Sequence, residues 1–429
     1  ETGSAFPIIG MTNKRKIIND PVYDGFLTIE DEIIFDVLSH PYFQRQRRIK
    51  QLGFTSLVYP GAMHTRFSHM LGALNLMNRA LEVLRVKGVE TTPNEELGAR
   101  LAILLHDVGH GPFSHTSERL LADLHHEDCS RLFMERLNEV FDGALTVAIE
   151  VFKGTYPKKY LHQLVSSQLD MDRLDYLGRD SFFTGVSEGV VGTDRIINML
   201  NVKNDELVVD EKGIYSVEKF IISRRLMYWQ VYLHKTVVAA DNLLSGILRR
   251  ARELASQGSP LGIEGLPLYD FLSHHYVLQD FEQKPELLDR FALIDDSDID
   301  MAVKGWMNHS DKLLRMLSEH LVNRHLSAIR VSDRPFEPEV VETFRTQTQL
   351  LYDLEPHESE FFVNTGILSN HAYDYNDQEI RVLFKDGTCR DIGEASDQLD
   401  RHFLEKQVTK YYIYFPKELL LRTRECVKA

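Results

Sequence analysis

Between residues 67 and 108 the chain twice repeats apolar side chains at helical spacing, and a histidine–aspartate pair sits inside the second repeat near its end. Met70, Leu71, Leu74, Met77, Leu81 and Leu84 fall three or four positions apart, and so do Leu97, Leu101, Leu104, Leu105 and Val108. That period puts the apolar residues on one stripe and predicts two helices, each with a buried face. Gly109, Gly111 and Pro112 end the second helix. The same spacing predicts a helix over 162–176 and another over 217–251, the latter long enough to contain a bend. Gly and Pro density over 256–265 marks a loop. The style then changes. Residues 379–384 followed by Lys385-Asp386-Gly387 read as a strand entering a tight turn, and 410–415 before Pro416 as a second strand. The expected fold is mainly α: a helical core over 11–255 and a mixed α+β C-terminal lobe over 256–429 with a small antiparallel sheet. Residues 1–10 read as an appended, non-native stretch, because a natural-looking start follows at Met11 with the basic Asn13-Lys14-Arg15-Lys16 behind it.

Composition narrows the function. No apolar run approaches the ~20 residues that span a bilayer, so no membrane role is expected. The three cysteines, Cys129, Cys389 and Cys426, form no CxxC pair, which argues against a disulfide framework or a thiolate zinc site and fits a reducing cytoplasm. A formal charge of −15 argues against nucleic acid as the main partner. It leaves room for a nucleotide, since a few converging cations make a local positive pocket on an acidic protein. Eighteen histidines, many of them between His64 and His126, are the composition's strongest clue.

His106-Asp107 lies in an apolar helix, where such a pair is costly unless something pairs with both. A lone buried His-Asp is more often a structural hydrogen bond. The combination with His69 and a distant Asp172 points instead to a divalent metal. Neighbours on a helix diverge by about 100°, so both reach one ion only near a helix end, and here the helix stops at Gly109. Arg66 precedes His69 by three residues and shares its face, where a phosphate oxygen would sit. Asp172, Tyr176 and Asp180 share a second face. Mixed nitrogen and oxygen ligands suit Mn, Fe, Co, Ni or Zn better than calcium. His110, His115 and His126 supply acid–base groups beside the metal. Arg173 and Arg224 are within reach of phosphates, although a solvated helix face explains each alone, and Tyr176 or Tyr232 can pack against a sugar.

These residues belong to a set of words: Asn19-Asp-Pro21, Phe43-Gln-Arg45, Ile49-Lys-Gln-Leu-Gly53, Tyr59-Pro-Gly-Ala62, Arg66-Phe-Ser-His69, His106-Asp-Val-Gly-His-Gly-Pro-Phe-Ser-His115 and Asp170-Met-Asp-Arg-Leu-Asp-Tyr176. Together they resemble the HD-domain deoxynucleoside triphosphate triphosphohydrolases, bacterial enzymes and the vertebrate one that adds a sterile alpha motif among them. The resemblance implies an HD-domain helical core with metal ligands His69, His106, Asp107 and Asp172. It implies phosphate contacts from Arg66, Arg173, Arg224 and His110, and proton chemistry around His115 and His126, with His115 the general acid for the leaving 5′ oxygen. Glu118 stands where the vertebrate relative has an aspartate that assists the His115 position. Gln51, Tyr176, Asp180 and Tyr232 match positions around the deoxyribose. The resemblance also implies Mg²⁺ with the nucleotide phosphates, a homo-oligomer (tetramer or hexamer), and activation by a nucleotide bound near Lys16, Asn19, Gln44, Arg47 and Arg195. Ser39 replaces an aspartate that reads guanine, and Asp210 an arginine, so dATP or another dNTP is the expected activator in preference to strict GTP. Two rival readings use the same metal motif: a nucleotidase or phosphodiesterase on another nucleotide, and a non-catalytic dNTP sensor. The extra arginines favour a long polyphosphate over the first, and the acid–base histidines weigh against the second.

Overall fold

A computed structural model of the protein describes residues 16–420, except 24, 119, 371, 372, 374–378, 400–403 and 406, and of His115 only the backbone. The appended stretch expected at 1–10 lies outside the described residues. The helices that position the site are α1 (Arg66–Val86), α2 (Pro93–Leu105), α3 (His126–Val140), α4 (Lys159–Val165), α5 (Met171–Thr184), α6 (Ile214–Met227) and α7 (Lys235–Ser256). The strands are β1 (Lys16–Asn19), β2 (Phe26–Ile29), β3 (Leu200–Lys203), β4 (Glu206–Asp210), β5 (Ala328–Ser332), β6 (Asn364–Asn370), β7 (Arg381–Leu383), β8 (Cys389–Asp391) and β9 (Val408–Phe415).

The two periodic segments are helices as expected, but the second ends at Leu105, short of the stop expected at Gly109. In α2 the start is set by a capping box: Thr92 Oγ1 accepts from the Glu95 amide at 3.3 Å and Glu95 Oε2 accepts from the Thr92 amide at 2.8 Å. Pro93 occupies the first turn, where its missing N–H costs nothing. At the other end His106 is the C-cap, still with helical dihedrals. The pair 106–107 therefore leaves the helix as it ends, the geometry that lets both side chains turn towards one point.

Helix α1 buries thirteen residues of its twenty-one, His69 and Arg66 included. It crosses α5 closely at Gly72, where a Cβ would come within 2.0 Å of Asp175 Oδ1 and 2.1 Å of Arg179 Nη2. Any larger residue there displaces the Asp175 carboxylate and the Arg179 guanidinium that fill the space, although alanine is the better helix former by about 1 kcal/mol.

The single helix expected over 162–176 is two. Helix α4 stops at Val165, and α5 restarts after Asp170, whose carboxylate accepts from the Arg173 amide at 2.6 Å. An acceptor at that position caps a new helix in preference to continuing an old one. The bend expected within 217–251 is a π-helical turn at Tyr228–Tyr232 between α6 and α7, and His234 caps the second helix through its Nδ1.

Among the described residues there are three sheets, and the two strands expected in the C-terminal lobe fall in different ones. The C-terminal strand β9 is the centre of a three-stranded antiparallel sheet, order β5-β9-β6, with Ile413 and Phe415 buried. The hairpin about Lys385-Asp386-Gly387 forms as read, β7 with β8, but it adds to β3-β4, and β4 pairs with β7 in parallel. This four-stranded sheet draws strands from both sides of residue 255. A two-stranded ribbon, β1-β2, precedes the helices.

Candidate metal centre and phosphate cleft

Three helix ends meet over one point. The start of α1 brings His69, the end of α2 brings His106 and Asp107, and the first turn of α5 brings Asp172. His69 Nε2 and His106 Nε2 are 3.3 Å apart. Asp172 Oδ1 lies 3.1 Å from the first and 3.3 Å from the second. Asp107 stands 3.5 Å from His106 Nε2 and 3.7 Å from His69 Nε2. Ligand atoms ~2.1 Å from a shared ion sit about 3.0 Å apart at right angles and about 3.4 Å apart at the tetrahedral angle, so His69, His106 and Asp172 have the spacing of ligands to one ion, with Asp107 just outside it.

The hydrogen bonds behind the imidazoles make the same case. His106 Nδ1 donates to the Ile103 carbonyl at 2.6 Å, and His69 Nδ1 donates to Asp175 Oδ2 at 2.7 Å. Each neutral ring then presents its Nε2 lone pair to the other, across a carboxylate. Lone pairs and a carboxylate facing one another need a positive charge between them, and a divalent cation meets that need. Without metal, a proton is the stand-in: despite burial, hydrogen bonds to Asp172 and Asp175 raise His69 to about 10. Asp107 and Asp172 stay ionised against the opposing effect of burial, the first through Arg66 and the second through His106.

Because the metal displaces that proton, binding must release it. Between pH 6 and pH 8, below the raised His69 value, the apparent metal affinity is expected to rise at least about tenfold per pH unit, since Asp107 and Asp172 raise His106 as well despite its burial. Chelator-buffered Mn²⁺ titrations at pH 6, 7 and 8 check this. Equal affinities at all three would show that His69 enters the reaction already deprotonated.

Around this centre lie the phosphate candidates. Arg66 is buried, ion-paired to Asp107 through Nη1, and donates to Ser114 Oγ from Nε at 3.0 Å and Nη2 at 2.7 Å. Ser114 and Phe113 hold left-handed dihedrals, φ 51° and 52°. The turn is kept there by Asp296, which accepts from the Phe113 amide at 2.8 Å, and by the two guanidinium bonds. Arg173 spends its Nε on Asp170 and the Ser167 carbonyl. Arg224 is buried and bonds Gln168. Burial lowers its pKa, with Arg173 adding to the effect and Tyr176 opposing it.

His110 Nε2 is 3.4 Å from Asp107 and its ring stacks on His126 at 4.0 Å. Burial and Arg66 hold His110 well below the usual histidine range, so it is neutral at pH 7. Glu118 meets His126 at 3.2 Å and also accepts from its backbone amide at 3.0 Å. The carboxylate expected beside His115 thus also orients His126. The His115 side chain lies outside the described residues.

On the far side, Asp180 bonds His64 Nε2 at 2.7 Å and Tyr232 Oη at 2.8 Å. Tyr232 packs edge-on against Tyr176 and Tyr228. Gln51 follows on through its backbone amide, which donates to the His64 carbonyl, while its buried Oε1 has no partner among the described residues. His64, Ser114 and Asp175 were not read as site residues from sequence. Only Asp175 carried a signal there, the i,i+4 spacing to Arg179.

Of the effector candidates, Gln44 accepts from Arg47 Nε at 2.9 Å. Arg47 lies over the Phe67 ring at 3.5 Å and Lys16 over Phe35 at 4.0 Å. Asn19 ends β1, and Arg195 donates to the Lys212 carbonyl. Among the described residues no hydrogen bond joins Arg195 to the other four. Asp210, expected near this set, is ion-paired to Lys87 at 2.8 Å.

Comparison with known proteins gives the site a family. An HD domain matches residues 66–180 and an HD associated region matches 191–292. An uncharacterized Bacillus subtilis protein, YwfO, is 31% identical over 96% of this chain and 94% of its own. A crystal structure of a phosphohydrolase from Bacteroides thetaiotaomicron is 47% identical, covers 94% of this chain and 100% of its own, and superposes with a TM-score of 0.90. The chain belongs to the HD-domain phosphohydrolases. The HD match runs from Arg66 to Asp180 and so takes in His69, His106, Asp107 and Asp172. Relatives of this family include the deoxynucleoside triphosphate triphosphohydrolase SAMHD1 homolog of Dictyostelium discoideum, 32% identical over 55% of this chain and 49% of its own. No described helix is long and apolar enough to cross a membrane.

Proposed function

We propose that the protein hydrolyses deoxynucleoside triphosphates to a deoxynucleoside and inorganic tripolyphosphate. The observation that carries this reading is the set of arginines about the His/Asp cluster. Arg66 pairs with Asp107, Arg173 pairs with Asp170, and the buried Arg224 bonds Gln168. Guanidiniums gathered about such a cluster suit a ligand with several negative charges in a row. Relatives named as deoxynucleoside triphosphate triphosphohydrolases support the same substrate.

His69, His106, Asp107 and Asp172 would hold the ion, and their mixed nitrogen and oxygen donors suit Mn, Fe, Co, Ni or Zn. When bound it supplies Lewis-acid polarisation of a phosphoryl oxygen and lowers the pKa of water from about 15.7 towards about 7. The chain's own groups do the rest. Arg66, Arg173 and Arg224 bind the triphosphate, with Mg²⁺ as its companion ion. Neutral His110 donates a hydrogen bond to a phosphate oxygen. His115 protonates the leaving 5′ oxygen, and His126, with its Nδ1 on Glu118, completes the proton path. Gln51, Tyr176, Asp180 and Tyr232 hold the deoxyribose. Incubation of each dNTP, singly and mixed, with Mn²⁺ and Mg²⁺ tests the reading: tripolyphosphate in place of pyrophosphate or monophosphate is expected. Another phosphate product moves the protein to the nucleotidases, and none at all makes it a sensor.

The second part of the proposal is activation by a nucleotide in a homo-oligomer. Lys16 and Arg47 supply charge for a phosphate chain, and Asn19 and Gln44 can read polar edges. Arg195, with no hydrogen bond to the other four among the described residues, would come from a neighbouring subunit. Ser39 presents no carboxylate to select guanine, so dATP is expected to accelerate dGTP hydrolysis about tenfold, and Arg47→Ala to remove most of that gain while leaving the basal rate. Undiminished activation in Arg47→Ala would take Arg47 out of the effector site.

A further inference from the structure

We infer that the turn between β1 and β2 positions His69 for metal binding, through Tyr23 and Asp20. The inference rests on the metal-centre reading above and concerns groups that reach His69 only through Asp175.

Asp175 is fully buried and receives four donors. His69 Nδ1 is at 2.7 Å and Arg179 Nε at 2.8 Å on Oδ2. Arg179 Nη2 at 3.0 Å and Tyr23 Oη at 2.7 Å are on Oδ1. Arg179, also fully buried, is held from its other side by Asp20, whose oxygens accept from Nη1 at 3.2 Å and Nη2 at 2.5 Å. Asp20 in turn accepts from the Val22 amide at 3.0 Å, so its own position is fixed by the turn. Both contacts from the ribbon therefore end on the carboxylate–guanidinium pair that orients His69.

This arrangement matters because α5 carries two jobs three residues apart. Asp172 faces the ion, and Asp175 aims the histidine opposite it. The helix alone fixes the spacing of the two carboxylates but not the rotation of Asp175 about its own bonds. Tyr23 and Arg179 set that rotation, and the rotation sets the ring angle of His69. Partners of this kind behind a metal-ligating histidine are worth about 10–100-fold in metal affinity. Tyr23 is an uncharged donor that does not itself face the centre, so removing its hydroxyl alters orientation without changing the charge there. Its ring also lines an open cleft of about 580 Å³ with Arg79, Phe182 and Val190. The turn thus links a surface cleft to a buried metal ligand.

The test is a chelator-competed Mn²⁺ titration of the metal-free full chain, with Co²⁺ absorption spectra as a second readout. Wild type should bind, and His106→Ala should not. Tyr23→Phe should bind about tenfold more weakly and shift the Co²⁺ bands, with the melting temperature of the metal-free protein close to wild type. Asp20→Asn should weaken binding at least as much. Tyr156→Phe is the control, because it also removes a tyrosine–carboxylate bond, 3.0 Å to Glu95, away from this network. Wild-type affinity in both Tyr23→Phe and Asp20→Asn, with His106→Ala still unable to bind, overturns the positioning role and leaves the metal centre standing. Equal weakening in Tyr156→Phe overturns it too, since general loosening would then explain the effect. A wild-type chain that binds no Mn²⁺ or Co²⁺ removes the metal-centre reading and this inference together.

Discussion

Alanine at His106 is expected to strip the protein of its metal and to lower phosphohydrolase turnover by about three orders of magnitude, with the fold intact. His106 is one of three groups whose atoms lie within about 3.3 Å of each other, and without it His69 and Asp172 are left facing one another at 3.1 Å. That pair closes on a proton, not on a divalent ion. A metal contributes several kcal/mol of transition-state stabilisation, and each ~1.4 kcal/mol is a factor of ten. The fold should tolerate the change because the second ring nitrogen of His106 bonds only the Ile103 carbonyl, three residues back in its own helix. Asp107→Ala is the harsher variant. It leaves the buried Arg66 without its ion pair, and an uncompensated buried charge costs about 3–5 kcal/mol. Metal content, circular dichroism and turnover measured on one preparation of His106→Ala decide the matter. Full occupancy with wild-type turnover would remove His106 from the ligand set.

The helices and the ligand cluster were legible in the sequence for the same reason: both are local patterns. Apolar spacing gave α1 and α2, and the His-Asp pair, more often a structural hydrogen bond when alone, pointed to an ion once His69 and Asp172 stood beside it. What sequence left out is non-local. Asp175 lies in a quoted motif, but nothing in one chain says that its partner is His69, more than a hundred residues earlier. His64 gains its meaning only where α5 delivers Asp180 to it. The parallel pairing of β4 with β7 joins short strands far apart in the chain, each too brief to show alternation. The break between α4 and α5 was the one readable miss, since Asp170 is a cap residue inside the run taken as one helix.

Deoxyribonucleotides should be preferred over ribonucleotides by about a hundredfold in kcat/KM, and the preference should depend on Tyr232. Asp180 has two carboxylate oxygens, and both are bonded, Oδ1 by His64 and Oδ2 by Tyr232. Tyr232 is itself wedged edge-on between Tyr176 and Tyr228, with ring centroids 6.2 Å and 5.1 Å away. With both oxygens engaged and the ring wedged, this wall has little room for an added 2′-hydroxyl and no unengaged carboxylate oxygen to offer it. The buried Gln51 Oε1, without a hydrogen-bond partner among the described residues, would on the proposed reading accept from a hydroxyl that both sugars share. A pocket that only fails to accommodate an extra hydroxyl discriminates by about 10². Tyr232→Phe keeps the ring and frees Asp180 Oδ2 to accept from a 2′-hydroxyl, a bond worth about 1 kcal/mol or more. The dGTP-to-GTP ratio should fall to about ten, mostly through faster GTP hydrolysis, while dGTP turnover changes little. The same activating nucleotide, at saturation, must be present in both assays, so that the ratio reports the catalytic site alone. Equal kcat/KM for dGTP and GTP in the wild type would end the claim that this wall reads the sugar. An unchanged ratio in Tyr232→Phe would place the discrimination elsewhere in the cleft.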